Sequence, residues 1–218
     1  NAYHSFSFAN WYNPDRIQFG MLRVLNDDTV AAGMGFGTHP HDNMEIITIP
    51  LEGDLAHKDS MGNAATIKTG DVQVMSAGTG IQHSEFNPNH DQHTKLFQIW
   101  LFPKYRNVEP RYQQITLDQS LQKNDFAQIL SPNPDDAGVW IHQDAWFYLS
   151  DFDADFSKKL ALQKEGNGFY IMTIEGEIEI NGERLSKRDA LGIWDTPEID
   201  IKATTAAKFL VMEIPMEQ

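Results

Sequence analysis

The sequence predicts an all-β protein built from two tandem antiparallel barrels. Short runs of β-branched and aromatic residues recur along the 218 residues, separated by Gly, Asn, Asp and Pro. The order strand, Gly bend, strand, turn, strand also occurs twice, in TIPLEGDLAHKDS…TGDVQVM and in TIEGEIEINGERLSKRDALGIW. A hydrophobic content of 41% with 11% aromatics is enough to fill two cores.

In chain order, Met44–Ile49 (MEIITI) is apolar and β-branched, and it runs through Pro50 to a bend at Gly53. Asp59–Asn63 (DSMGN) is turn chemistry, and Asp71–Met75 (DVQVM) alternates after Gly70. Leu96–Phe102 (LFQIWLF) reads as a buried strand ended by Pro103. Residues 103–137 hold Pro103, Pro110, Pro132 and Pro134, and read as a connection between two units. A short helix is expected within LDQSLQKNDFAQIL. Strand patterns resume at Trp146–Leu149, Phe169–Ile174 and Glu177–Ile180. Asn181–Gly182 is a hairpin signal, and Ala190–Trp194 and Lys208–Ile214 complete the set.

Composition excludes several functions. A formal charge of −14 repels phosphate backbones and anionic membranes, so neither nucleic acid nor membrane is an expected partner. With no cysteine, the chain has no disulfide, thiolate ligand or thiol nucleophile, which fits a cytoplasmic protein. No apolar run approaches a membrane span and no signal-peptide pattern opens the chain. The first residue is Asn rather than Met, so further residues are expected to precede it.

Chemistry is concentrated in two pairs, His39 with His41 in GFGTHPHDNMEI and His83 with Glu85 in SAGTGIQHSEFNP. Residues i and i+2 of a strand share a face. Two strands bringing the pairs together would aim three imidazoles and a carboxylate at one point. That donor set suits a divalent transition metal. A lone H-x-H is usually a surface or packing feature; the second Gly-flanked pair makes chance a poor explanation. Glu45 is an alternative carboxylate, since 39, 41 and 45 share a face in an unbroken strand.

The pattern Gly-x-Gly-x-His-x-His-x3-Glu-x7-Gly from Gly35 to Gly53, followed by Gly-Asp-x6-Gly-x4-His-x3-Asn from Gly70 to Asn87, resembles the two cupin motifs. THPHDNMEI, HKDSMGN, MSAGTGIQHSE and QIWLFP resemble the pirin family, in particular its bacterial quercetin 2,3-dioxygenase-like members. HSFSFANWYNPD, LRVLNDD, IHQDAWFYLSDF and INGERLSKRDALGIWD extend the likeness over nearly the whole chain. The resemblance implies a bicupin with metal only in the N-terminal barrel, held by His39, His41, His83 and Glu85. It favours Glu85 over Glu45, leaving Glu45 to orient a ligand. The expected domains are residues 1–125, with metal, and 126–218, without. No histidine follows His142, which agrees.

The other candidates read more plainly. His57 is an ordinary strand histidine or a support at the barrel mouth. His90 and His93 are solvated, and His4 and His142 are packing or hydrogen-bonded residues. Gly33, Gly35 and Gly37 precede a strand, not the helix a nucleotide loop needs. Ser76 and Ser84 have no triad spacing. Five Trp and thirteen Phe suit two barrel cores better than a base-stacking platform.

Three histidines and a glutamate leave coordination positions open, as catalytic sites do. The resemblance implies a dioxygenase that opens the heterocycle of a flavonol such as quercetin with O2 and releases carbon monoxide. The metal would act as Lewis acid toward the 3-hydroxyl oxygen, and Glu85 would accept the hydroxyl proton. Iron(II) is the first expectation, with Ni, Co, Cu, Mn and Zn also compatible. Phe36, Met44 and Phe86 are the expected apolar walls. The competing reading is a metal- or redox-sensing protein that binds a protein partner without turnover.

Overall fold

The structure, a computed structural model, describes residues 1–217. They form two compact units. The first comprises Asn1–Gln18, Leu22–Leu117 and Val139–Gln143; the second comprises Phe19–Met21, Asp118–Gly138 and the chain from Asp144 onward. Among the described residues no helix is long and apolar enough to cross a membrane.

The first unit contains β1 (Ala2–His4), β2 (Leu22–Val30), β3 (Gly35–His41), β4 (Glu45–Glu52), β5 (Leu55–Asp59), β6 (Ala64–Ile67), β7 (Asp71–Ser76), β8 (Ile81–Phe86), β9 (Thr94–Leu101) and β10 (Arg111–Thr116). Its larger sheet runs β1-β2-β9-β4-β7-β10 and its smaller sheet β3-β8-β5-β6. The second unit contains β11 (Ala127–Ser131); the short β12 (Val139–Trp140) falls in the first unit. There follow β13 (Trp146–Phe152), β14 (Ser157–Ala161), β15 (Asn167–Glu175), β16 (Ile178–Ile180), β17 (Glu183–Leu185), β18 (Ala190–Ile193), β19 (Glu198–Ala203) and β20 (Ala207–Pro215). In this unit β11-β13-β20-β15-β18 lie side by side in the larger sheet, and β14-β19-β16-β17 form the smaller one.

The repeat read from the sequence is therefore one of strand order. The run β2-β9-β4-β7 matches β13-β20-β15-β18, and β3-β8-β5-β6 matches β14-β19-β16-β17. This is the all-β bicupin architecture the sequence predicted, with each barrel made of two separately hydrogen-bonded sheets. Asn181 and Gly182 both have positive φ (51° and 87°), as a two-residue hairpin turn of this type requires, and they join β16 to β17.

The two interiors differ. Phe152, Phe169, Ile171, Ile199, Ile201, Phe209 and Val211 fill the second barrel as one apolar cluster. Each such side chain stabilises by roughly 1.5–3 kcal/mol when buried. In the first barrel, Val30, Leu55, Ile67 and Leu96 form one apolar cluster and Ile46, Met75, Ala77 and Ile81 another. A polar row also crosses its large sheet. Asn26 lies opposite Gln98, Gln98 opposite Thr48, Thr48 opposite Gln73, and Gln73 opposite Gln114. Paired residues share a face, and the first four of these are buried.

Residues 103–137 are more ordered than a connection. They supply β10, a single 3-10 turn at Gln119–Gln122 and β11. The expected helix thus shrinks to one turn, capped by the Asp118 side chain, which accepts from the backbone N–H of Ser120. The AQIL half of the same segment pairs with β13 instead. Partnering with a neighbouring strand outweighs a weak local preference for helix.

β3 carries a bulge: residues 37 and 38 stand against Ser84 alone, between the pairs Phe36–Glu85 and His39–His83. A Cβ at Gly35 would overlap the Glu85 carbonyl oxygen and the Phe86 Cα, so only glycine lets the two strands approach. Gly35→Ala is expected to destabilise the protein by about 1–3 kcal/mol and to weaken metal retention. Urea unfolding and metal content after dialysis check both.

Candidate metal centre

Register brings the two predicted pairs together. β3 runs antiparallel to β8, with His39 opposite His83 and His41 opposite Ile81. The rings of His39, His41 and His83 have centroids 4.4–4.9 Å apart. One ligand atom from each lies within 4.8 Å of the others. His41 Nε2 and His83 Nε2 are 3.1 Å apart. His39 Nδ1 sits 2.8 Å from the Gly37 carbonyl, which only accepts; that nitrogen carries the proton and Nε2 keeps its lone pair.

Burial keeps the inner imidazoles neutral. It pushes His41 down to about 4, with help from His39, and His83 down to about 3, with help from His39 and His41. A metal ligand must be unprotonated, so these rings are ready at neutral pH. Ring nitrogens gathered within 4.8 Å of one another make a donor set that fits a divalent cation.

Glu85 is buried, only 1% exposed. Gln98 Nε2 donates to Oε1 and Oε2 at 3.3 and 3.0 Å, and Thr48 Oγ1 to Oε1 at 3.4 Å. Both donors come from the polar row of the opposite sheet. Burial raises the Glu85 pKa, opposed chiefly by the Gln98 hydrogen bond. Glu85 converges with His83 and with His57 rather than directly with His39 and His41. His83 thus belongs to two overlapping groups of three.

Glu45 joins neither group. It lies on β4 and accepts from Ser76 Oγ at 2.7 Å. Burial pushes it up to about 7, opposed by Ser76, Arg111 and the backbone of His142. The other histidines are dispersed. His4 Nδ1 meets Asn26 Oδ1 at 2.8 Å, His142 stands edge-on to Trp140, and His90 and His93 are exposed.

Of the expected walls, Phe36 stands opposite Glu85 because the bulge resets the alternation of β3. Met44 packs against the cluster of Ile46, Met75, Ala77 and Ile81. Phe86 is a correction: it follows Glu85 directly, so period-2 alternation points it away from the site, and it is 47% exposed. Sequence reasoning missed Thr48, Gln98, Asp59 and Tyr112. The Tyr112 ring lies 5.0 Å from the His57 ring, tilted by 38°.

Two family models match the chain: Pirin over residues 1–101 and the quercetinase C-terminal cupin domain over residues 128–214. The chain is 41% identical to the quercetin 2,3-dioxygenase of Escherichia coli K12, over 99% of its own length and 91% of that protein's. The chain belongs to the pirin family. A pirin-like protein of Caulobacter vibrioides is 38% identical over 97% of this chain and 91% of its own. Among solved structures, E. coli YhhW superposes on this pirin with a TM-score of 0.94 at 40% identity, covering 100% of this chain and 92% of its own. The nickel(II) complex of bacterial pirin YhhW gives 0.92 at 39% identity, covering 98% and 91%. Members of this family imply a metal, and the converging imidazoles are where this chain offers a seat for one.

The raised carboxyl of Glu45 has a consequence for stability. Its folded value of about 7 lies above the ordinary 4.5, so between those values the folded state holds a proton that the unfolded state has released. Stability from this group therefore falls as pH rises across that window, by about 3 kcal/mol at most. Glu45→Gln is expected to flatten this part of the profile. Urea unfolding of metal-free protein at several pH values across the window measures it.

Proposed function

We propose that this pirin is a metal-dependent dioxygenase that opens the heterocyclic ring of flavonols such as quercetin with O2. The observation that carries the reading is the convergence of His39, His41 and His83 beside a buried glutamate. The kinship with proteins named quercetin 2,3-dioxygenase supplies the substrate class. In this reading the ligands are His39, His41, His83 and Glu85, residues 1–125 carry the metal and residues 126–218 bind none. Iron(II) is the first choice; nickel, present in the YhhW complex, fits the same donors, as do Co, Cu, Mn and Zn.

A bound divalent metal would supply Lewis acidity toward a substrate oxyanion. The protein supplies the rest. Glu85, whose pKa burial raises, takes the proton of the flavonol 3-hydroxyl. Gln98 and Thr48 fix its carboxylate from the opposite sheet, so the base does not have to reorganise. Phe36, on the same face as His39 and Glu85, offers an apolar surface to an aromatic ring. Ring opening incorporates both oxygen atoms of O2 and releases one ring carbon as carbon monoxide, leaving a depside.

The test is anaerobic reconstitution of metal-stripped protein with each candidate ion, then quercetin depletion followed together with oxygen uptake. Metal-dependent turnover coupled to oxygen is expected. His83→Ala is expected to lose metal and activity while keeping its circular dichroism spectrum. Full metal occupancy in that variant would sink the ligand assignment. Glu85→Gln is expected to lower kcat by about 10²-fold or more, and Glu45→Gln by less; the reverse order would move the base to Glu45. Tight metal binding without turnover would overturn the enzymatic reading in favour of a sensor.

A further inference from the structure

His57 has no part in the reaction outlined above, yet it lies against the cluster. It is 2% exposed, and its ring centroid is 5.4 Å from that of His83. Across the β5–β8 pairing His57 stands opposite Glu85, and Asp59 opposite His83. The side chains of β5 and β8 at these positions therefore share a face.

Asp59 settles the tautomer of His57. Its carboxylate accepts from the backbone N–H groups of Met61 and Asn63 at 2.9 and 3.0 Å and from Asn63 Nδ2 at 2.9 Å. An ionised carboxylate only accepts, so His57 Nε2, 3.1 Å from Asp59 Oδ2, is the proton-bearing nitrogen. In that tautomer the lone pair falls on Nδ1, which is buried without a hydrogen-bond partner. His83 Nδ1 is likewise buried and unpartnered. A buried polar atom with no partner is costly, and such atoms call for an explanation. Ligand atoms of His57, His83 and Glu85 all lie within 4.8 Å of one another. Two imidazoles and a carboxylate gathered out of water form a cation's donor set.

We propose that His57, with His83 and Glu85, forms an inner seat for a divalent transition metal, sharing both of those residues with the outer seat completed by His39 and His41. The proposal rests on the metal-centre reading of this site. Asp59 is the positioning residue: it holds His57 in the ligating tautomer, as carboxylates do behind metal-bound histidines. Because His83 and Glu85 serve the inner seat and His39 and His41 do not, removing the outer pair leaves a binding site rather than none.

The test uses Cu(II) as the probe on metal-stripped full chain. Bound copper is counted after desalting, and histidine nitrogens are counted by pulsed electron paramagnetic resonance. The unaltered protein is expected to take up one ion. His39→Ala/His41→Ala is expected to keep one ion, more weakly bound, with two imidazoles in its spectrum. Adding His57→Leu to that pair is expected to abolish binding. No copper in the double variant, or equal copper with and without His57, overturns the inner seat. If the unaltered protein binds no metal, the metal-centre reading itself fails, which is a separate result. Should the alanine pair fail to fold, His39→Gln/His41→Gln carries the same comparison.

Discussion

A carboxylate shut away from water must find its hydrogen bonds inside the protein, and Glu85 finds them on the opposite sheet. Gln98 and Thr48 stand side by side in the polar row and reach across to it. An unpaired buried charge would cost several kcal/mol, so the position of β8 is tied to the register of β9 and β4. That register in turn places His83 beside Glu85 and, through β3, His39 and His41. The site is thus held by the barrel's own pairing and by amide and hydroxyl donors that are not themselves candidate ligands.

The second unit shows what the same strand order becomes without that demand. β19 corresponds to β8, and its inward residues are Ile199, Ile201 and Ala203. β20 corresponds to β9 and contributes Phe209 and Val211. An apolar interior needs no hydrogen-bond partners and gains stability from burial alone. The first barrel gives up part of that gain to host polar groups at its centre, and compensates with apolar clusters beside them. One topology thus carries two interiors, one crossed by a buried polar row and one apolar.

Much of this was legible in the sequence. The β-branched runs located β4, β7, β9, β13, β15 and β20 to within a few residues, and Asn181–Gly182 announced its hairpin. The period-2 spacing of His39, His41, His83 and Glu85 picked out side chains that do converge around His83. What stayed hidden has a common cause. Asn26, Asp28, Gln73 and Gln98 are buried polar residues, and by composition alone they look like solvent-facing ones. β10, with RYQQIT, was obscured in the same way. Phe36 and Phe86 differ in orientation because of one extra residue in β3, and no hydrophobic pattern reports a bulge. His57 could be read as an ordinary strand histidine or a support at the barrel mouth, because its place opposite Glu85 depends on which strands pair.

Trp100 stands edge-on to His41, with ring centroids 4.8 Å apart. The contact packs an apolar ring against an imidazole and limits its rotation. It also puts a fluorophore one ring away from whatever that imidazole holds. An excited indole passes energy or an electron readily to an open-shell ion at such range. Were His41 to hold such an ion, the emission of Trp100, which reaches it from β9 of the larger sheet, would report its presence.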